Sequence, residues 1–126
     1  MMPVSGSPIV LVVEDEGLVR QMSADELVDA GYQVLEAANS REAISILESG
    51  VGVTVLFTDV NMPGELDGLE LAHLVHDRWP CVRLLVTSGG ARAGPQDVPD
   101  DGRFISKPYS LRRMCSLVDE LVGAGA

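Results

Sequence analysis

Ile9-Val10-Leu11-Val12-Val13 runs directly into Glu14-Asp15-Glu16, and the fold is read outward from this junction. Five apolar residues, four of them β-branched and none interrupted by a polar one, predict a strand covered on both faces, as in a parallel sheet. The three acids end it. Downstream, Leu18, Val19, Met22, Leu27 and Val28 predict a helix over 18–30 with these residues mostly on one stripe, closed by Gly31. A shorter strand over 33–36 is polar at both ends and is expected on the outside of the sheet. Asn39-Ser40 then caps a second helix that turns Ala43, Ile44 and Leu47 inward and ends at Gly50.

The alternation continues. Residues 53–58 predict a third strand, 59–67 a loop, and Gly68–Arg78 a helix halted before Pro80, with Trp79 anchoring its end. Residues 82–87 read as a fourth strand. Gly89, Gly90, Gly94, Pro95, Pro99 and Gly102 then leave room for no more than a turn or two of helix. A short fifth strand over 103–105 precedes a helix capped by Ser110, with Leu111, Met114, Cys115, Val118 and Leu121 on its apolar face. Five strands alternating with four regular helices and one weak one indicate a doubly wound α/β fold around a parallel sheet. Such folds bind ligands at the carboxyl ends of the strands, where strand order reverses.

At 126 residues, with 46% hydrophobic and 22% charged residues, the chain suits one domain over 1–126 with a core over about 9–122. Nine Lys plus Arg against 19 Asp plus Glu give a formal charge of -10, a field that repels phosphate backbones and argues against direct nucleic-acid binding. Cys81 and Cys115 lie far apart without zinc-site spacing. No apolar run has the length of a membrane span, and the first residues lack a signal-peptide pattern, so a soluble cytoplasmic protein is expected. His73 and His76 have no evident third ligand and read as exposed surface residues. Residues 89–94 lack both the dinucleotide fingerprint and a Gly-Lys-Ser/Thr phosphate loop.

The chemistry gathers at strand ends: Glu14-Asp15 after the first, Asp59 after the third, Thr87 at the fourth and Lys107 after the fifth. Carboxylates brought together repel unless a cation sits among them. Mg²⁺, a hard ion that favours oxygen ligands and bridges carboxylates to phosphate, fits that need. Asp59 is then the candidate nucleophile toward phosphorus, with Lys107 as a point charge and Thr87 as a hydrogen-bond donor to the phosphoryl oxygens. Either hydroxyl of Thr87-Ser88 can face such a site.

Glu14-Asp15, Asp59-x-x-Met62-Pro63 ahead of Asp67-Gly68, Thr87, and Lys107-Pro108 together resemble a response-regulator receiver domain of two-component signalling, over about 9–122. The resemblance implies a flavodoxin-like sheet of order 2-1-3-4-5. It also implies that Asp59 is the phosphoacceptor and that Glu14, Asp15, Asp59 and the backbone carbonyl of Asn61 hold Mg²⁺. Thr87 becomes the switch hydroxyl, Phe104 the switch aromatic, Lys107 the phosphate-sensing lysine, and Lys107–Pro108 a cis bond. The implied partners are a sensor histidine kinase or histidine phosphotransferase and a downstream protein, with neither nucleic acid nor membrane bound directly. The implied role is signalling, without enzymatic turnover beyond its own phosphorylation and slow dephosphorylation.

Two features depart from the family pattern. The segment from Met62 to Gly68 is one residue longer than the common form, a variant resembling receivers attached to or working beside hybrid sensor kinases. Residues 89–102 are poor in helix signals where the family has its fourth helix, part of its output and dimerisation face. A monomer or weak dimer is therefore expected, with 89–102 mobile in the absence of phosphate. Because the chain ends soon after its last predicted helix, it is expected to act through another protein, alone or as the receiver of a hybrid kinase.

Three other readings compete. An aspartate-nucleophile phosphatase of the haloacid-dehalogenase type needs a second Asp two residues after the first, and Asn61 stands there. Flavin mononucleotide binding needs a hydroxyl-rich loop after the first strand, where Glu14-Asp15-Glu16 stands instead. A receiver that docks without being phosphorylated has the same sequence signature as one that is.

Overall fold

In the computed structural model, which describes residues 6–90, 93–99 and 102–124, the apolar run forms β1 (Ile9–Val13). It lies between β2 (Gln33–Ala37) and β3 (Val55–Asp59), with β4 (Arg83–Ser88) and β5 (Arg103–Ser106) beyond. All pairings are parallel and the order is β2-β1-β3-β4-β5. The helices are α1 (Gly17–Asp29), α2 (Ser40–Glu48), α3 (Gly68–Arg78) and α4 (Leu111–Ala124).

Side chains alternate across β1. Val10 and Val12 face a layer with Leu27 of α1 and Met114, Val118 and Leu121 of α4. Leu11 and Val13 face the other, with Ala43 and Leu47 of α2 and Leu71 and Val75 of α3. Coverage of both faces is what an uninterrupted apolar strand requires, because each face hides its apolar area from water.

Helix ends follow the capping residues. Asn39 accepts from the Glu42 N–H (2.9 Å), and the Ser110 hydroxyl accepts from the Arg113 N–H (3.0 Å). After α1 the chain reverses at Gly31, whose φ of 100° is a left-handed conformation that glycine adopts without strain.

The inward stripe of α1 differs from the sequence reading. Leu18 is 75% exposed and Met22 48%, while Ser23, Ala24 and Leu27 are buried. At 3.6 residues per turn, Leu18 lies about 180° and Met22 about 140° around the helix from Leu27. Smaller differences occur at strand ends. Val53 and Val82 stay buried outside the ladder, and β2 reaches Ala37, whose carbonyl accepts from the Glu14 N–H (3.0 Å).

The weak helix is a single 3-10 turn, Pro95–Asp97. It is held by the Gly94 N–H on the Asp97 carboxylate (2.9 Å) and by burial of Val98 in the α2/α3 layer. The expected mobility of 89–102 falls partly on residues 91, 92, 100 and 101, which lie outside the described residues. Trp79 caps α3, donating its N–H to the Val75 carbonyl (2.7 Å), with the Arg78 guanidinium 4.3 Å from its ring centre. His73 is exposed as expected, with Nε2 3.1 Å from the Asp97 carbonyl. His76 is half-buried instead, because it adjoins the buried Leu71, Ala72 and Val75 face of α3. Cys81 is exposed and Cys115 half-buried, and both are free thiols. No helix of the described residues is long and apolar enough to cross a membrane.

Leu71 is fully buried between α3 and the sheet. Leu71→Ala is expected to lower unfolding free energy by about 2–5 kcal/mol, read as a shifted urea midpoint with unchanged slope.

Candidate functional site

The parallel register brings the predicted residues to one end of the sheet. Val13 pairs with Thr58, so Glu14 follows β1 at the level of Asp59, and Asp59 itself pairs with Thr87. Ser88 pairs with Ser106, and the next residue, Lys107, donates its N–H to the Ser88 carbonyl (3.0 Å). β1 has β2 on one side and β3 on the other, so the acids of the β1 and β3 ends flank the point where strand order reverses.

Asp59 is 4% exposed. Lys107 Nζ lies 2.7 Å from its Oδ2, and the Asn61 N–H donates to its Oδ1 (3.1 Å). Glu14, 5% exposed, accepts from the Glu16 N–H (3.2 Å) and sits 3.4 Å from the same ammonium. Asp15 is exposed, yet a carboxylate oxygen from each of Glu14, Asp15 and Asp59 falls within 4.8 Å of the others.

Burial pushes the Glu14 carboxyl above the ordinary glutamate value. The Glu16 N–H opposes this, while Asp15 and Asp59 reinforce it. For Lys107, burial works to lower the pKa, but the hydrogen bond and charge of Asp59, joined by Glu14, outweigh it and hold the ammonium above its usual range. One ammonium cannot neutralise three carboxylates. Oxygen-only donors with uncompensated negative charge suit a hard divalent cation such as Mg²⁺, which needs few protein ligands.

Thr87 is 1% exposed, and its Oγ1 is the one buried side-chain polar atom among the described residues with no hydrogen-bond partner. An unmet buried hydroxyl costs about 1–3 kcal/mol, so it stands ready for an acceptor brought into the site. Ser88, the competing hydroxyl, already accepts from the Gly90 N–H (3.2 Å). Phe104 is half-buried against the α2/α3 layer, paired in register with Val86. Lys107–Pro108 is cis. The structure therefore brings Glu14, Asp15, Asp59 and Lys107 into one cluster, with Thr87 on the adjoining strand end. Phe104 stands outside that cluster, on β5.

Two supports were not read from the sequence. The first is the work of Asp67-Gly68. Asp67 caps α3 by accepting from the Glu70 N–H (2.8 Å), while Glu70 accepts from the Asp67 N–H (3.0 Å). A Cβ on Gly68 would stand 1.8 Å from the Asp59 carbonyl oxygen, so only glycine lets α3 start against the Asp59 backbone. The second is Arg20, whose Nη1 donates to the Glu14 carbonyl (2.8 Å). Its sequence signal is that no other basic residue stands between Ile9 and Ser40.

Comparison with known proteins agrees with this geometry. Residues 10–119 match the response regulator receiver domain. The chain is 38% identical over 122 residues to the sensor kinase CckA of Brucella abortus (strain 2308), covering 94% of this chain and 13% of that protein. It is 29% identical over 116 residues to the response regulator receiver protein CpdR of the same organism, covering 90% of this chain and 95% of that protein. The chain thus spans a small part of the first relative and nearly all of the second. A crystal structure of a response regulator receiver protein from Sinorhizobium medicae WSM419 superposes with a TM-score of 0.88 at 22% identity, over 98% of this chain and 100% of that one.

Two outcomes follow from the geometry of the acids. Gly68→Ala is expected to destabilise the fold by about 1–3 kcal/mol, because α3 must move off the Asp59 carbonyl, with amide shifts in an NMR spectrum centred on residues 59–61. Glu14 titrates higher in the folded chain than unfolded, so the native state holds the extra proton. Stability is then greatest below the unfolded value and falls as pH rises through the raised folded one. In EDTA at neutral pH, Glu14→Gln is therefore expected to melt above the wild type while binding Mg²⁺ more weakly. An unchanged or lower melting temperature would contradict the burial argument.

Proposed function

Because the chain belongs to the response regulator receiver domain family, we propose that Asp59 accepts a phosphoryl group from a phosphohistidine of a sensor histidine kinase or histidine phosphotransferase. The domain then signals by changed affinity for a downstream protein, as a cytoplasmic monomer or weak dimer. The observation that carries this reading is the Asp59 carboxylate itself, buried at a strand end with Lys107 on one oxygen and two further acids beside it.

One Asp59 oxygen attacks phosphorus as the nitrogen–phosphorus bond of the donor breaks, giving an acyl phosphate and the donor's imidazole, whose leaving nitrogen takes a proton from solvent. Glu14, Asp15, Asp59 and the Asn61 carbonyl would hold Mg²⁺, which would neutralise charge on the phosphoryl oxygens. Lys107, already on Asp59 Oδ2, stays as the fixed counter-charge. Thr87 gives its unpaired hydroxyl to a phosphoryl oxygen and is drawn inward. Phe104, half-buried beside β4, follows, so the added charge shifts the population of a two-state face.

A cleft of about 410 Å³ opens next to Lys107, lined mainly by Val19, Met22, Pro108, Tyr109 and Leu111, with Glu16 and Ser23 at its polar side. Together with the exposed Leu18 it offers a helical phosphohistidine donor an apolar seat within reach of Asp59.

Incubation with acetyl phosphate and Mg²⁺ is expected to add one phosphoryl group by intact mass. None should appear with EDTA or in Asp59→Asn, whereas Thr87→Ala should still be phosphorylated but lose the amide shifts of the modified state around β4 and β5. A wild type that binds Mg²⁺ yet gains no phosphoryl group would make the domain a docking module independent of phosphorylation.

A further inference from the structure

We propose that Arg20, one turn into α1 and outside the acidic cluster, is a positioning residue that fixes the Glu14–Asp15 peptide for cation binding. The inference rests on reading Glu14, Asp15 and Asp59 as the Mg²⁺ ligands. Both backbone polar groups of Glu14 are held from different elements. Its N–H donates to the Ala37 carbonyl at the end of β2 (3.0 Å), and its carbonyl accepts from Arg20 Nη1 (2.8 Å). Arg20 is itself held by Glu36, one residue before Ala37, through Nε to Oε1 at 3.2 Å.

The guanidinium thus bridges the β1 and β2 ends, using its rigid fork for two partners that a single ammonium cannot span in the same way. Pinning the Glu14 carbonyl fixes the peptide plane that aims Asp15. Asp15 is exposed and has little packing of its own to orient it. Losing an outer group that orients a metal ligand typically weakens metal affinity by about 10- to 100-fold.

A bare positive charge beside three carboxylates would oppose a second cation. The charge of Arg20 and its hydrogen bonds therefore have opposite effects on Mg²⁺ affinity, and removing the side chain shows which dominates. Mg²⁺ titration of the unphosphorylated full chain, followed by amide chemical shifts, measures this directly. Arg20→Ala and Arg20→Lys are both expected to bind roughly tenfold more weakly, with phosphorylation by acetyl phosphate restored at saturating Mg²⁺. Arg78→Ala, which removes a 2.9 Å ion pair to Glu48 on the α2/α3 surface, should leave affinity unchanged.

Unchanged or tighter binding in Arg20→Ala would overturn the proposal, as would wild-type affinity in Arg20→Lys. The lysine variant keeps the charge and decides the matter even where the alanine variant fails to fold. Weaker Mg²⁺ binding in both variants upholds the role of Arg20 even if Asp59 gains no phosphoryl group, an outcome that defeats only the phosphoacceptor reading.

Discussion

Three carboxylates held at one edge of a sheet, with a single ammonium among them in the described residues, set the terms for the rest of this molecule. Glu14, Asp15 and Asp59 would separate if their backbones were free, since their negative charges repel. They stay because β1 and β3 are hydrogen-bonded neighbours in the middle of a sheet covered on both faces. The core holds the charges together, and Lys107, pairing with Asp59 at 2.7 Å, relieves only part of the repulsion. What remains favours a divalent cation and, through it, an incoming phosphoryl group.

The neighbouring backbone is arranged around that tension. Asn61 donates its N–H to one Asp59 oxygen, the Thr58 hydroxyl donates to the Asp59 carbonyl (3.0 Å), and Gly68 lets α3 begin against that same carbonyl. On the β1 side, Ala37 and Arg20 hold the two polar groups of Glu14. Backbone groups of Asp59 and Glu14 are thus met by contacts from β2, α1 and α3. The Thr87 hydroxyl is left without a partner. A buried carboxylate held at its backbone beside an unsatisfied hydroxyl is a combination in which a small chemical change can move a strand end.

The two faces beside the site differ in how they present themselves. Around α1, Leu18 and Met22 are exposed because Ser23, Ala24 and Leu27 occupy the packed side, leaving an apolar surface next to Lys107. Between β4 and β5, a 3-10 turn and the buried Val98 stand where a fourth helix is usual in the family. Gly102 permits this close packing, since a Cβ there would lie 2.4 Å from Val98 Cγ1.

Strand and helix alternation, the parallel sheet and the convergence of Glu14, Asp15, Asp59, Thr87 and Lys107 on one edge were legible in the sequence. An uninterrupted apolar run such as Ile9–Val13 has few other places to be buried, and parallel connections put every strand's carboxyl end on the same side. The inward side of α1 was not legible. Ser23 and Ala24 carry no hydrophobic signal, and their burial depends on how closely α1 approaches its neighbours. Nor were the roles of Arg20 and Gly68, because each acts on a backbone carbonyl, Glu14 and Asp59 respectively, that sequence spacing does not place. Local pattern determined which residues form elements and which chemistry gathers at their ends. Tertiary packing alone decided which backbone groups meet, because those distances are set between elements far apart along the chain.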